Sequence, residues 1–439
     1  MHTALAELET AAQPATFGQR LARVRQNRLI RQNLVLFVGG LVAGIGGFVY
    51  HAIAGRRIPG EYGEVASLVS GFAIGNTATL ILILILARYA AKLQAEDNPG
   101  GVRYLIGRGS RLLALPSLLF VLAAVVLSGA AQDFLHLRSN IPIIWLAVAI
   151  VMIWQCSVPR GVLQGTQHFS ALSANLALEM VVRTLALFGL LTLGLGVNGS
   201  VIAIFLGALF AYLIGLGALR ELFAVHSQRV RLRAMAGFSL TATVGTLGIL
   251  LLYNQDVILA KHYLDTRGAG VYGALNKIGT ILYFLSLSVS QVMFPRVVEA
   301  IAKDHHPGRL LLLSAGIMCI FGLGTLLVFG VVPWLVVAIL FPAFPEATPF
   351  ILAMGLIGLA ISLANLLVQF FMAAHDIWFM PILAASCVAQ ALLIALFHGG
   401  VGQVVVDVLV AVLALLAALS LRCLLLMPKL HPQALERAC

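Results

Sequence analysis

The strongest constraint on this chain is a series of apolar stretches, each about 20 residues long, that recur from residue 33 to residue 424. A helix of about 20 residues is roughly 30 Å long, which matches the hydrocarbon thickness of a lipid bilayer. The composition agrees, because 61% of the 439 residues are hydrophobic and 10% are charged, whereas soluble domains carry about 25% charged residues. We therefore predict a multi-pass membrane protein.

Twelve apolar stretches are predicted to form membrane-spanning helices. Each is continuous and rich in leucine, whereas strands of a membrane barrel alternate between apolar and polar residues. The predicted spans are 33–54, 64–88, 111–131, 141–159, 171–196, 199–220, 237–261, 270–295, 310–332, 350–373, 377–397 and 403–424. The predicted fold class is all-α, a polytopic membrane protein of about 12 transmembrane helices.

The positive charges predict the orientation, because Lys and Arg are retained on the cytoplasmic side of membrane proteins. With the N-terminus inside, most of the 28 Lys and Arg fall in inner segments, including Arg160 in the loop after the fourth span. The outer loops then hold only Arg56, Arg57, Arg138, Lys261 and Arg267. Both termini are therefore predicted to be cytoplasmic. The net charge of +11 reflects this bias, and no basic soluble domain suggests nucleic-acid binding.

A short phrase occurs twice and indicates an internal repeat. His51 is followed by Tyr62 and Gly63, and His262 is followed by Tyr272 and Gly273 at an offset of 210 residues. Two copies of six helices enter the membrane from the same side, which is typical of transporters with a site between the repeats. The predicted organisation is an N-terminal tail (1–32), a first lobe (33–220), a linker (221–236), a second lobe (237–424) and a C-terminal tail (425–439).

Charged residues inside predicted spans are costly in lipid and are therefore candidate functional groups. Asp256 and Lys277 lie at similar depth on consecutive antiparallel helices. One interpretation is a local ion pair. The other places Lys277 in a cavity where it attracts an anion, while Asp256 tunes it or carries a coupling proton or cation.

Four more charged candidates follow from spacing and position. Glu179 and Arg183 are four residues apart on one helix, so they form either a neutral structural pair or part of a site. Arg56 and Arg57 lie in the first outer turn. They act either as membrane-surface anchors or as an outer gate for phosphate groups, which guanidinium binds in a bidentate manner.

Uncharged candidates complete the predicted site. Tyr62 and Tyr272 belong either to an aromatic belt at the membrane surface or to a sugar-stacking surface. Gln255 and Gln291 either line a polar path or hold helices together. No cysteine pair, P-loop or other catalytic signature occurs, so we expect no metal, no cofactor and no enzyme activity.

Three motifs carry a resemblance to a known family. They are "GRRIPGEYGEVASLVS" (55–70), "QDVILAKHYLDTRGAGVYGALNKIG" (255–279) and "SQVMFPRV" (290–297). The chain resembles polysaccharide-biosynthesis flippases of the multidrug/oligosaccharidyl-lipid/polysaccharide exporter superfamily. The resemblance implies a V-shaped pair of lobes around a central cavity, with Lys277 and Asp256 inside it and Arg56 and Arg57 near its outer rim. The chain departs from the family in having few arginines within its spans.

The function implied by this resemblance is the flipping of an undecaprenyl-diphosphate-linked oligosaccharide across the bacterial cytoplasmic membrane for surface polysaccharide assembly. A polysaccharide polymerase or glycosyltransferase would be a partner, and protons or sodium are candidate coupling ions. Two alternatives remain open. A cation-coupled multidrug antiporter would use Asp256 or Glu179 as its acid, and a scaffold of a polysaccharide assembly complex would transport nothing.

Overall fold

The computed structural model describes residues 28–230, 236–302 and 307–427, and within these ranges the chain is helical with short connections and no strands. The predicted tails before residue 28 and after residue 427 lie outside the described residues. The helices are α1 (Arg28–Arg57), α2 (Tyr62–Gly75), α3 (Thr77–Ala95), α4 (Pro99–Leu135), α5 (Ile141–Gly165), α6 (Phe169–Thr192), α7 (Gly196–Ala218), α8 (Arg220–Phe223), α9 (Ala236–Tyr263), α10 (Thr266–Ala302), α11 (Pro307–Val331), α12 (Pro333–Leu340), α13 (Ile351–Ala373), α14 (Phe379–Leu396) and α15 (Val401–Leu426).

Eleven helical stretches among the described residues are long and apolar enough to cross a membrane, and α2 and α3 together form one of them. The predicted eighth span falls in α10, which is not one of the eleven. That helix is continuous over 37 residues, a length of about 55 Å at 1.5 Å per residue. The molecule is thus an all-helical, multi-pass membrane protein.

The helices pack into two groups. In the first bundle (α1–α7), α6 packs against α1 and α7, and α5 packs against α3 and α7. In the second bundle (α9–α15), α13 packs against α10 and α15, and α14 packs against α9 and α15. Helix α2 is the exception, because its main neighbours are α9 and α10 of the second bundle.

The two bundles meet where α2 crosses α10. A Cβ atom on Gly63 would lie 2.9 Å from the Cβ of Ala269 and 3.0 Å from the amide nitrogen of Gly270. A Cβ on Gly273 would lie 2.7 Å from the Cβ of Ala66. Small residues allow such a close approach of two helices. Gly63 and Gly273 are the glycines of the repeated phrase, so the repeat marks the α2/α10 crossing.

Aromatic side chains seal the same end of the molecule, which we call the closed end. Phe341 and Phe344 follow α12 and are fully buried. Their ring centroids lie 5.6 and 5.5 Å from that of Tyr62 in the first bundle. Elsewhere at this end, Nδ1 of His262 is hydrogen-bonded to the Phe134 carbonyl at 2.6 Å. These contacts connect the two bundles beyond the α2/α10 crossing.

The structure differs from the sequence prediction at several boundaries. The second span is interrupted at Asn76, and α12 lies in a segment where no helix was predicted. Helix α5 continues to Gly165, so Arg160 is buried inside it and does not lie in a loop. Lys261 is likewise buried within α9. Hydropathy assigned both residues to loops, because a charged side chain near the end of an apolar stretch is taken as the end of the predicted span.

Replacing Gly63 by Val should disrupt the α2/α10 crossing. The added side chain has no free volume, and overpacking of this kind costs about 1–3 kcal/mol. We expect a lower midpoint of thermal unfolding in detergent for Gly63→Val. Gly189→Val is the matched control, since nothing lies within 4 Å of its Cβ position. Equal midpoints for the two variants would contradict the tight crossing.

Candidate functional site

Asp256 of α9 is held by donors from α10. Its Oδ2 accepts hydrogen bonds from the Tyr272 hydroxyl at 2.7 Å and from Nδ2 of Asn276 at 3.2 Å. Its Oδ1 accepts one from the Val257 amide at 2.9 Å. Of the ion pairs within 4.0 Å among the described residues, none joins Asp256 to Lys277. The structure therefore contains no direct ion pair between these two residues.

Lys277 lies on the face of α10 that points toward the first bundle. Gly270, Gly273 and Lys277 have the spacing of one helical face. On that face, the Gly270 amide lies against Gly63 of α2, and a Cβ on Gly273 would meet the Cβ of Ala66. Lys277 is 9% exposed, and within the described part of the chain its ammonium group has no hydrogen-bond partner. It is a buried cation one turn deeper than the α2/α10 crossing.

Two residues of the first bundle belong to the same region, and the sequence analysis did not single them out as candidates. Ser70 lies one turn beyond Ala66 on α2, is fully buried, and its Oγ has no partner in the described residues. His51 of α1 shares a 3.1 Å hydrogen bond between its Nδ1 and the Tyr62 hydroxyl. It is close enough to experience the charges of both Lys277 and Arg183. Both residues lie in or beside the repeated phrase, which was the available signal.

The predicted Glu179–Arg183 pair is one part of a larger charge cluster. Arg183 donates to one oxygen of Glu179, and Arg160 donates to the other at 2.5 Å. Nε of Arg160 also donates to Oδ1 of Asn175 at 2.8 Å. The cluster therefore carries a net charge of +1 and is not self-neutralised. Arg183 faces α2, where its guanidinium lies 5.1 Å from the ring centroid of Phe72.

The two tyrosines of the repeat are buried hydrogen-bond donors or acceptors. Tyr62 and Tyr272 are both fully buried. The Tyr62 hydroxyl pairs with His51, and the Tyr272 hydroxyl donates to Asp256. The aromatic-belt interpretation is wrong for these two residues, because rings at a lipid surface are exposed. Sugar stacking by them stays a prediction, and neither ring is accessible in this conformation.

The remaining candidates lie away from Lys277. Nη2 of Arg56 donates to the Ile339 carbonyl of α12 at 2.5 Å, whereas Arg57 lies over the ring of Phe188 at 5.0 Å. Gln255 binds the Cys387 carbonyl at 2.9 Å and the Gln390 side chain at 2.5 Å, so it joins α9 to α14. The side chain of Gln291 lies outside the described residues. The functional roles of these residues remain predictions.

The closed end holds a second set of buried charges. Glu64 of α2 and Lys261 of α9 are each 4% exposed and carry opposite charges on opposite bundles. Nζ of Lys261 donates to the His136 carbonyl of the first bundle at 3.4 Å, whereas the pair of Arg138 with Glu61, at 2.6 Å, lies within the first bundle. The Lys261 hydrogen bond therefore adds to the aromatic contacts that hold the two bundles together at this end.

Removing the charge of Glu179 should destabilise the first bundle strongly. Glu179→Gln leaves two buried guanidinium groups without a counter-ion, and breaking a buried pair costs about 3–5 kcal/mol. The half-exposed carboxylate of Glu346, which pairs with Arg267 at 2.8 Å, is the matched control. Glu346→Gln should cost about 0–1 kcal/mol. Unfolding in increasing denaturant measures both variants, and similar losses would contradict a buried cluster.

Several solved structures share this fold at low sequence identity. An inward-facing multidrug-resistance transporter of the multidrug and toxin extrusion family matches with a TM-score of 0.69 and 11% identity, covering 90% of this chain and 95% of that one. The lipid II flippase MurJ, in an inward closed conformation, matches with a TM-score of 0.66 and 10% identity, covering 92% and 91%.

A transporter from Pyrococcus furiosus, described as having a binding pocket of reverse polarity, matches with a TM-score of 0.64 and 12% identity, covering 91% of this chain and 95% of that one. These likenesses establish the fold alone. No curated protein sequence matches the chain.

A family model gives the sequence-level relationship. The model described as "Polysaccharide biosynthesis protein" matches residues 29–301, which is more than half of the chain. The match includes α1, α2, α9 and α10, and with them the α2/α10 crossing, His51, Asp256 and Lys277. The chain belongs to the polysaccharide biosynthesis protein family.

Proposed function

We propose that this protein flips an undecaprenyl-diphosphate-linked oligosaccharide across the bacterial cytoplasmic membrane for surface polysaccharide assembly. The observation that carries the proposal is Lys277, a buried cation at the junction of the two bundles with no ion pair among the described residues. A lone charge in such a place is costly and marks a functional group. An anionic ligand would supply the missing counter-charge.

A diphosphate suits the chemistry around Lys277. On the opposite bundle lie the Ser70 hydroxyl, the His51 ring and Arg183 of the positively charged cluster. Ammonium, guanidinium, imidazole and hydroxyl groups are all ligands for phosphate oxygens. A diphosphate held between the bundles would contact both of them, so its binding would be coupled to their relative position.

The topology that we propose has twelve spans, with α10 as the eighth and both termini in the cytoplasm. The two bundles would act as lobes covering residues 33–220 and 237–424, joined by the linker 221–236 and flanked by the tails 1–32 and 425–439. With this orientation the closed end faces outward. The structure would then represent a state with its outer side shut, and rocking of the lobes would expose the site alternately to each side.

Other components follow from the same proposal. The lipid-linked oligosaccharide is the ligand, a polysaccharide polymerase or glycosyltransferase is the expected protein partner, and protons or sodium ions are the expected coupling ions. The resemblance to the lipid II flippase supports a lipid-linked ligand, and the family model supports a role in polysaccharide biosynthesis.

A cation-coupled multidrug antiporter is the second candidate, and Asp256 favours it. The carboxylate is buried without an ion pair and borders a small cavity with Tyr253 and Asn276, where Oδ1 of Asn276 has no partner among the described residues. A proton or cation could be exchanged at this position. The similarity in fold to multidrug transporters supports this alternative as well.

Lys277 provides the first test of the flippase proposal. In a deletion strain, we expect the wild-type gene to restore surface polysaccharide and Lys277→Met to reduce its rate of appearance at least tenfold. A charged hydrogen bond is worth about 1.5–3 kcal/mol, which corresponds to a factor of roughly 10 to 100. Lys277→Arg should retain more activity than Lys277→Met. Lys92→Met is the control, since Lys92 is exposed. Equal activity of Lys277→Met and Lys92→Met would contradict the role of Lys277.

Asp256→Asn separates the two candidates. The substitution preserves the volume of the side chain and keeps an oxygen that can accept the Tyr272 hydrogen bond. If the protein is a flippase with its anion site at Lys277, the variant should retain more than half of the polysaccharide signal at equal membrane abundance. If it is an antiporter, deletion should leave polysaccharide intact, and neither the deletion strain nor Asp256→Asn should resist cationic drugs.

A further inference from the structure

Helix α2 is bounded at both ends by breaks in the helical backbone. At the closed end, α1 stops at Arg57 and a short 3-10 turn, Pro59–Glu61, leads into α2. Gly60 in this turn is exposed and has no atom within 4 Å of its Cβ position. At the other end, Asn76 separates α2 from α3 in the middle of the second span. A 14-residue segment is thus set apart from the helices before and after it.

The two halves of the second span belong to different bundles. Helix α2 packs mainly against α9 and α10, through the α2/α10 crossing. Helix α3 packs mainly against α5 of the first bundle. The α3/α5 contact is also tight, since a Cβ on Gly161 would lie 2.5 Å from the Leu86 side chain and one on Gly165 would lie 2.2 Å from the Ala87 carbonyl oxygen.

The junction at Asn76 is anchored in the first bundle. Nε1 of Trp154 in α5 donates to the Gly75 carbonyl at 2.9 Å. A Cβ on Gly75 would lie 2.8 Å from Cδ1 of Ile150, so no larger residue fits without movement. The Gly75 carbonyl, which leaves the regular helical pattern, accepts this hydrogen bond from a side chain of the neighbouring helix, and interruptions within membrane helices are satisfied in this way. The end of α2 is therefore anchored to α5, at a point where the regular series of helical hydrogen bonds is interrupted.

Four polar side chains around this junction lack partners. The side-chain oxygens of Ser70, Asn76, Thr77 and Thr79 are buried and have no hydrogen bond within the part of the chain that the structure describes. Buried polar groups are nearly always paired. Bending at Asn76 would admit water beside α2, and the water would pair these groups.

The corresponding part of the second repeat is different. Helix α10, which contains Tyr272 and Gly273 of the repeated phrase, runs from Thr266 to Ala302 without interruption. A continuous helix of this length behaves as a rigid element, whereas the α2–α3 pair can bend at its interruption. Over the described residues, the helix is therefore interrupted in the first repeat, between α2 and α3, and continuous in the second repeat, in α10.

We propose that α2 is a moving element that stays docked on the second bundle and pivots at Asn76 and at the Pro59–Gly60 turn when the bundles rearrange. The closed end would then open between α2 and the first bundle, where the contact between Tyr62 and His51 would break. The α2/α10 crossing would persist through the cycle. This differs from rigid rocking, in which α2 moves with the first bundle and the crossing separates.

A covalent bridge across the α2/α10 crossing tests the proposal without any substrate. Ala66→Cys and Gly273→Cys are introduced after the five native cysteines are replaced by alanine. The two Cβ positions are 2.7 Å apart, and a disulfide with a Cβ separation of about 3.5–4.5 Å forms after a small adjustment. Gly63→Cys with Ala269→Cys, at 2.9 Å, is the second variant if the first fails to fold.

The readout is the distance between spin labels on the two bundles, measured by electron paramagnetic resonance in lipid nanodiscs. Labels at Leu193 and Gly399 occupy exposed loops of the first and second bundle. In the unbridged protein we expect two distance components. With the 66–273 bridge we expect both components to persist, in proportions within a factor of two of those in the unbridged protein. Collapse to one component in the bridged protein would overturn the proposal, and so would a single component in the unbridged protein.

A second bridge serves as the control. Phe134→Cys with His262→Cys joins α4 of the first bundle to α9 of the second, at residues whose rings are stacked 4.2 Å apart. This bridge ties the bundles together without involving α2, so it should leave one distance component. If both bridges leave the two components unchanged, the bundles move without opening the closed end, and the pivot at Asn76 has no role.

Discussion

The close approach of α2 and α10 is the constraint on which the rest of the structure depends. Two bundles of apolar helices in lipid gain little from the hydrophobic effect when they associate, so their contact relies on packing at short range. Gly63 and Gly273 provide that packing, because each lies where a Cβ would collide with the opposite helix. Once these helices touch, Tyr62 meets Phe341 and Phe344, and the closed end is sealed.

The same crossing explains the contrast between the two kinds of buried charge. Glu179 lies within one bundle, where two arginines and Asn175 satisfy it and its neighbours. Lys277 lies between the bundles, one turn beyond the crossing, and has no hydrogen-bond or ion-pair partner among the described residues. Inside the bundle, directly paired charges hold helices together. At the junction of the bundles, a buried charge without a direct pair is a property expected of a ligand site that both bundles form.

Much of the fold was predictable from particular features of the sequence. The apolar runs predicted the helices, and the repeated His…Tyr-Gly phrase pointed to α2 and α10. Among the site residues, Asp256 and Lys277 were identified because a charged residue in an apolar run is conspicuous. Arg160 was not identified as a site residue, because it lies near the end of an apolar stretch and was therefore assigned to a loop. Ser70 and His51 gave no signal by composition, and the repeated phrase in or beside which they lie was the available signal for them.

The sequence by itself determined that this chain is a bundle of membrane-spanning helices, because hydropathy is a property of local segments. Only the tertiary structure decided which charges are paired, which bundle α2 contacts and where the second span breaks. These depend on side chains that are far apart in the chain, such as Trp154 with Gly75 and Tyr272 with Asp256. Contacts of this kind follow from the relative placement of helices, which no local pattern of residue types specifies.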